Sequence, residues 1–308
     1  MIDPLAEFIS LLRPRTVFSK GISGAGRWGV RYGEYGHPSF CVVTEGRCLL
    51  AVEGQEPISL ETGDFVFLPA TPGFTLSGFE PVDPVRMDPN VSAAQSGDIR
   101  HGRRGGRPDV RLLGGYFIFD SPDTALLVSL LPAQVHVRGV ERLSVLVRLV
   151  REEAAERRSG RELVLTRLVE ILLIEALRST SNDATTPGLL RGLADSRIAA
   201  SMRLMHGEPA RAWTVEQLAT KVAMSRSAFF ERFTRAVGQR PMEYLLAWRM
   251  ALAKDLLRNQ GVALTEVAER VGYSSASTFS TAFSRHVGQA PGRYARESQS
   301  SGQSATMS

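Results

Sequence analysis

The chain has 308 residues, 43% of them hydrophobic and 22% charged, so it is long enough for two domains with separate cores and too apolar to be largely disordered. It contains no uninterrupted run of 18 apolar residues and no signal-peptide pattern, so we expect a cytoplasmic protein with no membrane partner. The net charge is +5, and residues 195–296 alone carry 15 Lys and Arg against 8 Asp and Glu, which favours a polyanionic partner for that region.

The first part of the chain has the pattern of an all-β domain. From Val17 to Leu131, short apolar runs such as FCVVTEG and GDFVFLP alternate with Gly, Pro, Asp and Ser at strand-length intervals. This pattern predicts an antiparallel barrel or sandwich, interrupted by a long loop over residues 81–108. The two cysteines, Cys41 and Cys48, fall in neighbouring predicted strands. We expect buried free thiols there, with an oxidant-sensing pair as the alternative.

Two amphipathic helices are predicted next, over residues 141–150 and 162–179, where leucine and valine recur at helical spacing. They carry more apolar surface than a solvated connector needs. This surplus favours a homodimer seam, and packing against their own β domain is the alternative. Polar and helix-breaking residues then mark a linker over residues 181–194, and the Ser/Gln/Gly-rich tail at 297–308 is expected to be disordered.

An internal repeat dominates the last third of the chain. Residues 225–244 and 275–294 align at a constant offset of 50 with ten identities in twenty positions. In each copy Phe at i and i+4 and Val at i+8 form one apolar stripe and leave the opposite helix face polar. Gly238 and Gly288 fit helix C-terminal caps, and Thr214 and Ser225 fit N-caps. A shorter helix precedes each copy, so each unit is predicted to be a helix-turn-helix.

A single long helix is predicted between the two units, from Pro241 to Asn259. At about 1.5 Å per residue its 19 residues span roughly 28 Å. Successive major grooves on one side of a duplex lie roughly 34 Å apart. The spacer is therefore long enough to place both second helices in adjacent grooves.

Residues 195–296 resemble the DNA-binding domain of AraC/XylS-type regulators, from SRIAASMRLMH through SRSAFFERF, YLLAWRM and VGYSS to QAPGRYAR. The stretch LETGDFVFLPATPGFTL resembles the second half of a cupin barrel, and the N-terminal half is similar to the cupin sensor of those regulators. The resemblance implies a multidomain fold: an all-β cupin-like sensor over 1–138, a helical dimerisation element over 139–180 and an all-α tandem helix-turn-helix domain. The implied function is sequence-specific regulation of double-stranded promoter DNA, controlled by a small-molecule effector in the N-terminal domain.

The resemblance also assigns a DNA-contacting face to each recognition helix. The residues of the first face are Arg226, Ser227, Phe230, Glu231 and Thr234, and those of the second are Ala276, Ser277, Ser280, Thr281 and Ser284. Similar proteins often carry arginine where this chain has Glu231 and Thr281, so we expect base readout without the usual arginine-to-guanine contact at those positions. The neighbouring arginines are predicted to contact phosphates or to be solvated: Arg232, Arg235, Arg240, Arg249, Arg285 and Arg293.

Aromatic residues of the predicted barrel are the candidates for the effector pocket, namely Trp28, Tyr32, His37 and Phe40. A metal-dependent cupin enzyme would need several His and one Glu converging on an ion. Only His37, with Glu45 downstream, is suitably placed, and Phe74 stands where many cupins have a histidine. We therefore predict no bound metal, no cofactor and no enzyme activity. A pure protein-interaction module is disfavoured by the basic C-terminal third and its repeat.

Overall fold

The computed structural model describes residues 3–304 except 35, 89–97, 120–127, 129–130, 157, 181–186 and 260–261. The chain divides into two compact units. We call residues 14–120 with 131–183 the β unit, and residues 1–13, 121–130 and 184–308 the helical unit.

The β unit is built from strands that pair mainly antiparallel. They are β1 (Pro14–Ala25), β2 (Gly29–Tyr32), β3 (Ser39–Val52), β4 (Ile58–Glu61), β5 (Phe65–Leu68), β6 (Phe74–Ser77), β7 (Val85–Met87), β8 (Ile99–Gly102), β9 (Val110–Phe119) and β10 (Val135–Val137). Their order is β7-β2-β6-β3-β9-β1-β8, with β4 and β5 also on β3 and β10 on β5. The all-β prediction is confirmed. The segment expected to be a loop, residues 81–108, contains β7 and β8, and its residues 89–97 lie outside the described chain.

Strand β3 joins the two halves of the sheet. Its first half pairs with β5 and β9, and its second half pairs with β4 and β6. The change of partner follows a register shift between Val43 and Glu45, and Gly46 comes next with φ of 78°. A Cβ on Gly46 would lie 1.9 Å from the carbonyl oxygen of Asp109. Both the left-handed backbone and this close approach require glycine.

A buried carboxylate fixes the turn before β5 to the end of β10. The side chain of Asp64 is 1% exposed and accepts hydrogen bonds from Arg138 Nη2 at 2.8 Å and from the Glu61 backbone N–H at 3.0 Å. His136 Nε2 lies 3.1 Å from the same carboxylate. Burial alone would disfavour the charge, but these donors outweigh it and hold the pKa of Asp64 below its ordinary value.

Two helices complete the β unit, α2 (Glu141–Ala155) and α3 (Arg161–Thr180). They pack on each other, and α3 also packs on β1 and β10. The side chains that face inward are buried: Leu143, Val147, Val150, Leu165, Leu172, Leu173 and Leu177. A second set of apolar side chains stays exposed on the same two helices: Val145, Leu149, Leu163, Val164 and Ile171. The periodic residues thus serve the unit's own core, and a separate apolar surface remains.

The helical unit contains α1 (Pro4–Leu12), α4 (Leu189–Ala194), α5 (Ser196–Gly207), α6 (Val215–Lys221), α7 (Arg226–Val237), α8 (Pro241–Asn259), α9 (Leu264–Arg270), α10 (Ala276–Val287) and α11 (Pro291–Ser304). Part of the segment expected to be a linker, residues 181–194, is the helix α4. Leu189 and Leu190 are 0% and 1% exposed, and the Gly188 N–H donates to the Ala236 carbonyl at 2.9 Å. This burial makes α4 part of the helical core.

Helix α11 continues past residue 296, where the sequence analysis placed the start of a disordered tail. Arg293 Nε donates to Glu297 Oε1 at 2.7 Å, an i,i+4 ion pair across the expected boundary. Residues 305–308 of that tail lie outside the described chain.

The first residues of the chain also belong to the helical unit, although the sequence analysis assigned residues 1–138 to the sensor. Helix α1 is capped by Asp3 and buries one apolar face, including Phe8 and Leu12, which are both 0% exposed. It packs on α5 and α8, and Arg13 Nη2 lies 3.0 Å from Asp255 Oδ1 of α8. An amphipathic helix must cover its apolar stripe, and here α5 and α8 supply the surface.

Replacing Phe233 with Ala is expected to destabilise the helical unit by roughly 3–5 kcal/mol, because it removes a fully buried ring from α7. Calorimetric unfolding of the full-length protein measures the effect. Phe230→Ala is the matched control on the same helix, since Phe230 is 38% exposed, and its transition should stay close to wild type. Equal melting of the two variants would show that Phe233 is not a core residue.

Candidate nucleic-acid interface and barrel cavity

Both repeats form a helix-turn-helix, α6–α7 and α9–α10. The side chains of Thr214, Ser225 and Ser275 accept hydrogen bonds from backbone N–H groups in the first turns of α6, α7 and α10. Gly238 and Gly288 end α7 and α10 with φ of 80° and 84°. The N-caps predicted at Thr214 and Ser225 and both glycine caps are confirmed. These caps fix where each recognition helix begins and ends.

The turn of the second helix-turn-helix is tied to the first one. Gly272 has φ of 84°, and a Cβ there would lie 2.6 Å from the Ala210 carbonyl oxygen. From α8, Arg249 donates to the carbonyl oxygens of Pro209 at 2.7 Å and Arg211 at 2.8 Å, in the same loop between α5 and α6. Arg249 is therefore not a simply solvated charge, because two of its donors join α8 to the loop between α5 and α6. Its contact with a phosphate stays a prediction.

Helix α7 presents the predicted first face to solvent. Arg226, Ser227, Phe230 and Glu231 are all exposed, and Thr234 is half-buried. On the opposite side of the helix, Phe229 and Phe233 are 0% exposed. The helix thus has one side in the core and one polar side that is accessible to a partner.

Helix α10 repeats the arrangement with hydroxyl-bearing residues. Ser277 and Thr281 are exposed, whereas Ala276, Ser280 and Ser284 are half-buried. Ser280 Oγ donates to the Ala276 carbonyl at 2.7 Å, and Thr281 Oγ1 donates to the Ser277 carbonyl at 3.2 Å. Because the helix backbone takes these two hydroxyl protons, the oxygens present their lone pairs outward as acceptors.

Arginines border a groove between α4, the start of α5 and α7. Arg191, Arg232 and Arg235 line it together with Asp195. Asp195 is the N-cap of α5 and also accepts from Arg232 Nε. Burial opposes ionisation of Asp195, but these donors outweigh it and hold its pKa below the ordinary value. Arg232 is thus positioned by an ion pair, while Arg235 and, on α10, Arg285 are exposed.

Sequence reasoning did not include Arg191 and Asp195 in this surface. For Asp195 a local signal existed, since an aspartate directly before the helix SRIAASMRLMH matches the N-cap preference. For Arg191 none existed, because its segment was expected to be a linker.

The β unit contains a partly open cavity of about 90 Å³. The residues that line it are Lys20, Ile22, Tyr32, Ser39, Phe40, Cys41, Thr71, Phe74, Leu76, Ile99, Gly114, Gly115 and Tyr116. Two of the four effector candidates, Tyr32 and Phe40, belong to this lining. The other two lie elsewhere: Trp28 stacks on His101, and His37 stacks on Tyr116. Strand alternation alone did not reveal which faces look inward, and it missed Lys20.

Both cysteines are free and largely buried, Cys41 in the cavity wall and Cys48 in the core. Burial raises the pKa of both thiols, to about 12 for Cys48. Since the thiolate is the reactive form, these environments disfavour an oxidant-sensing pair.

The described part of the chain contains no group of three or more His, Cys, Asp or Glu arranged to hold a metal ion. Glu45, the acidic residue considered for a metal, instead forms ion pairs with Arg107 and Arg111. In the same described residues, no helix is long and apolar enough to cross a membrane.

Comparisons with known proteins match both halves of the chain. The sequence profile of a cupin family matches residues 3–182, and that of a helix-turn-helix domain matches residues 218–297. AraC-like transcription regulators of Streptomyces lividans and Streptomyces antibioticus are each 36% identical, over 95% of this chain and 98% of their own length. The crystallised DNA-binding domain of AdpA, in complex with a target DNA, is 27% identical over 34% of this chain and 96% of that domain, with a TM-score of 0.33.

The sequence identity between this chain and the two Streptomyces proteins extends over both domains and the connection between them. It confirms the predicted combination of an N-terminal cupin-like domain with a C-terminal helix-turn-helix domain. The chain therefore belongs to the AraC-like transcription regulators.

Proposed function

We propose that α7 and α10 are the recognition helices of this regulator and that they enter two successive major grooves of promoter DNA. The observation that carries the proposal is the twofold repeat of one design, a helix with buried phenylalanines on one side and exposed polar side chains on the other. The 19-residue α8 lies between them in the chain and spans roughly 28 Å, which is close to the groove repeat of roughly 34 Å.

The two recognition faces have different chemistry. On α7, Arg226 supplies donors, Glu231 accepts, and the exposed ring of Phe230 offers an apolar contact such as a thymine methyl group requires. On α10, the outward lone pairs of Ser280 and Thr281 suit amino groups on base edges, as in cytosine or adenine. We infer that base readout by α10 depends on acceptors and not on an arginine.

Footprinting of full-length protein on its best selected genomic fragment tests this function. Protection of two adjacent major grooves per subunit is expected. Thr281→Val, which keeps the shape and removes the acceptor, should change the base preference at one position within the second groove. Thr62→Val, at an exposed threonine of the β unit, is the control and should leave the preference intact. Protection of a single groove would contradict the tandem arrangement.

Arg235 and Arg285 are proposed to contact phosphates, and Arg232 to do so from its place beside Asp195. Replacing Arg285 or Arg235 with Gln should weaken binding to all sequences and lower the slope of log K against log salt by about 0.9 for each lost contact. Fluorescence anisotropy at several salt concentrations measures the slope. Arg31→Gln, whose arginine pairs with Glu53 in the β unit, should leave it unchanged. A wild-type slope in both DNA-face variants would exclude these contacts.

The β unit is proposed to be the sensor. A small-molecule effector in its cavity would favour one of two arrangements of the regulator that differ in DNA affinity. The shift in this equilibrium is limited by the difference between the effector's affinities for the two arrangements. This role needs no bound metal and no turnover, and we propose a binding protein without enzyme activity. Since its target is promoter DNA, we propose that it acts in the cytoplasm.

The exposed apolar residues of α2 and α3 are proposed to form a homodimer seam. The alternative partner for these exposed residues is the protein's own strands. Strands β1 and β10 already pack on α3, and a different set of its side chains is buried: Leu172, Leu173 and Leu177. Val145 and Leu149 lie at i and i+4, and Val164 and Ile171 at i and i+7, so each helix presents one stripe. Exposed apolar stripes on two helices that pack together favour an interface, and an identical copy offers the same apolar chemistry.

Leu163→Glu is expected to convert the dimer to a monomer, since it places a charge in the apolar seam. Sedimentation equilibrium over a range of protein concentrations measures the mass. Val85→Glu is the matched control, because Leu163 and Val85 are both 63% exposed and Val85 lies on the distant edge strand β7. If wild-type protein is monomeric at micromolar concentration, or if Leu163→Glu stays dimeric, this seam is not the interface.

A further inference from the structure

Four arginines lie close together in sequence where β8 ends and the turn to β9 begins. Residues 100–107 read RHGRRGGR, with no Asp or Glu among them, and we call this segment the arginine loop. Residues 14–183 together carry 20 Lys and Arg against 21 Asp and Glu, a net charge of −1. The positive charge of the arginine loop is therefore a local feature of the β unit.

Hydrogen bonds from one of these arginines shape the backbone of the loop. Arg100 Nε donates to the Arg103 carbonyl at 3.0 Å. Its Nη2 donates to the carbonyls of Gly105 at 3.1 Å and Gly106 at 2.7 Å. Gly102 and Gly106 each have φ of 76°, a left-handed backbone that favours glycine. Arg100 thus spends its donors on the turn and positions the arginines that follow it.

The arginine loop is also attached to the turn between β1 and β2. The Arg103 backbone N–H donates to the Ala25 carbonyl at 2.9 Å, and the Asp109 backbone N–H donates to the Gly24 carbonyl at 2.8 Å. Asp109 Oδ2, the first carboxylate after the loop, accepts from the Gly26 N–H at 2.6 Å. The arginine side chains are therefore carried by a backbone that is anchored on both sides.

The guanidinium groups after Arg100 are exposed and carry surplus charge. Arg103 and Arg104 are exposed, and neither side chain forms an ion pair with another described residue. Arg107 pairs with Glu45, yet its side chain remains 82% exposed. The same Glu45 also pairs with Arg111 Nε at 3.1 Å. Because one carboxylate serves two arginines, positive charge remains in excess at this surface.

An anchored, arginine-rich and glycine-rich loop suits the phosphodiester backbone of a nucleic acid. The guanidinium group presents a planar fork of donors that binds a phosphate through two hydrogen bonds. Gly105 and Gly106 are exposed and have no side chain, so a phosphate backbone can approach the loop closely. The chain belongs to a family of transcription regulators, so DNA is the polyanion that it meets.

A small number of phosphate contacts is enough for a second surface on the same chain. Once the recognition helices hold a promoter, a contact from the β unit forms within an existing complex and not from free solution. Its effective concentration is then high, so contacts that would be too weak alone add to the affinity.

We propose that the arginine loop binds phosphates of the promoter duplex outside the two grooves occupied by α7 and α10. Arg103 and Arg104 supply the contacts, Arg107 lies beside them, and Arg100 is a positioning residue. The contact is independent of sequence, because phosphates carry no base information. This assignment rests on the proposed function of α7 and α10 and adds a second DNA surface, on the β unit.

Fluorescence anisotropy of the full-length protein with two duplexes tests the assignment. One duplex contains only the footprint of the recognition helices, and the other extends it on each side by roughly 20 base pairs, about two helical turns. Wild-type protein should bind the longer duplex about five-fold more tightly, with a slope of log K against log salt that is steeper by about 0.9 for each extra phosphate contact. The double variant Arg103→Gln/Arg104→Gln should bind both duplexes within about two-fold of each other.

Arg31→Gln/Arg86→Gln is the matched control. Arg31 and Arg86 are exposed and directly opposite each other on β2 and β7, so this variant removes the same two charges from another part of the β unit. It should keep the wild-type preference for the longer duplex. Should the thermal transition show that the double loop variant does not fold, Arg104→Gln takes its place and should reduce the slope on the longer duplex by about 0.9.

The assignment is overturned if wild type binds both duplexes equally, or if the folded loop variant keeps the preference for the longer one. An acidic protein is the other polyanion that an arginine loop could bind. Binding of a labelled polyglutamate peptide that depends on Arg103 and Arg104, without a length preference on DNA, would replace DNA as the partner of the loop.

The shorter duplex separates this assignment from the proposed function of α7 and α10. Binding of wild type to the shorter duplex, without a gain from the longer one, would refute the arginine-loop contact and leave the recognition helices in place. Failure of wild type to bind the shorter duplex, together with unchanged binding by Arg285→Gln to the longer one, would contradict the proposed recognition helices themselves.

Discussion

The exposed polar faces of α7 and α10 depend on the burial of four phenylalanines. Phe229 and Phe233 of α7 and Phe279 and Phe283 of α10 are all 0% exposed. Phe233 meets Tyr244 edge-on at 5.7 Å, and Phe283 meets Tyr294 in the same way at 5.6 Å. When one side of an amphipathic helix packs in the core, the opposite side faces outward. Burial of these rings therefore determines which side chains of α7 and α10 are exposed. The repeat in sequence is thus a repeat of this anchoring.

Anchoring each helix does not by itself orient the two helix-turn-helix units to each other. That orientation depends on α8, which packs on both helix-turn-helix motifs, and on the loop between α5 and α6. Arg249 donates hydrogen bonds to carbonyls of this loop, and Gly272 lies against it. Arg249 supplies a charged donor to the carbonyls of Pro209 and Arg211, and hydrogen bonds to a charged group are stronger than those between neutral groups. These contacts therefore determine how α7 and α10 are oriented to each other.

The β unit contains two kinds of buried charged group. Asp64 lies among Arg138, His136 and a backbone N–H, and this saturation closes the turn before β5. Lys20 faces a cavity whose described lining carries no carboxylate. Both groups have interaction partners within the chain, as a buried charge requires.

The sequence by itself determined the elements whose pattern is local. Helical spacing, glycine caps and the 50-residue offset located α6, α7, α9 and α10, and the exposed face of α7 followed from the same period. Tertiary structure alone decided what depends on distant partners: Arg249 contacts a loop 38–40 positions away, Asp195 pairs with Arg232, and α1 joins the helical unit. It also decided which strand residues face inward. Alternation along a strand assigns its residues to two faces but does not tell which face meets the core. Lys20 lines the cavity for that reason, and no local pattern in the sequence could have shown it.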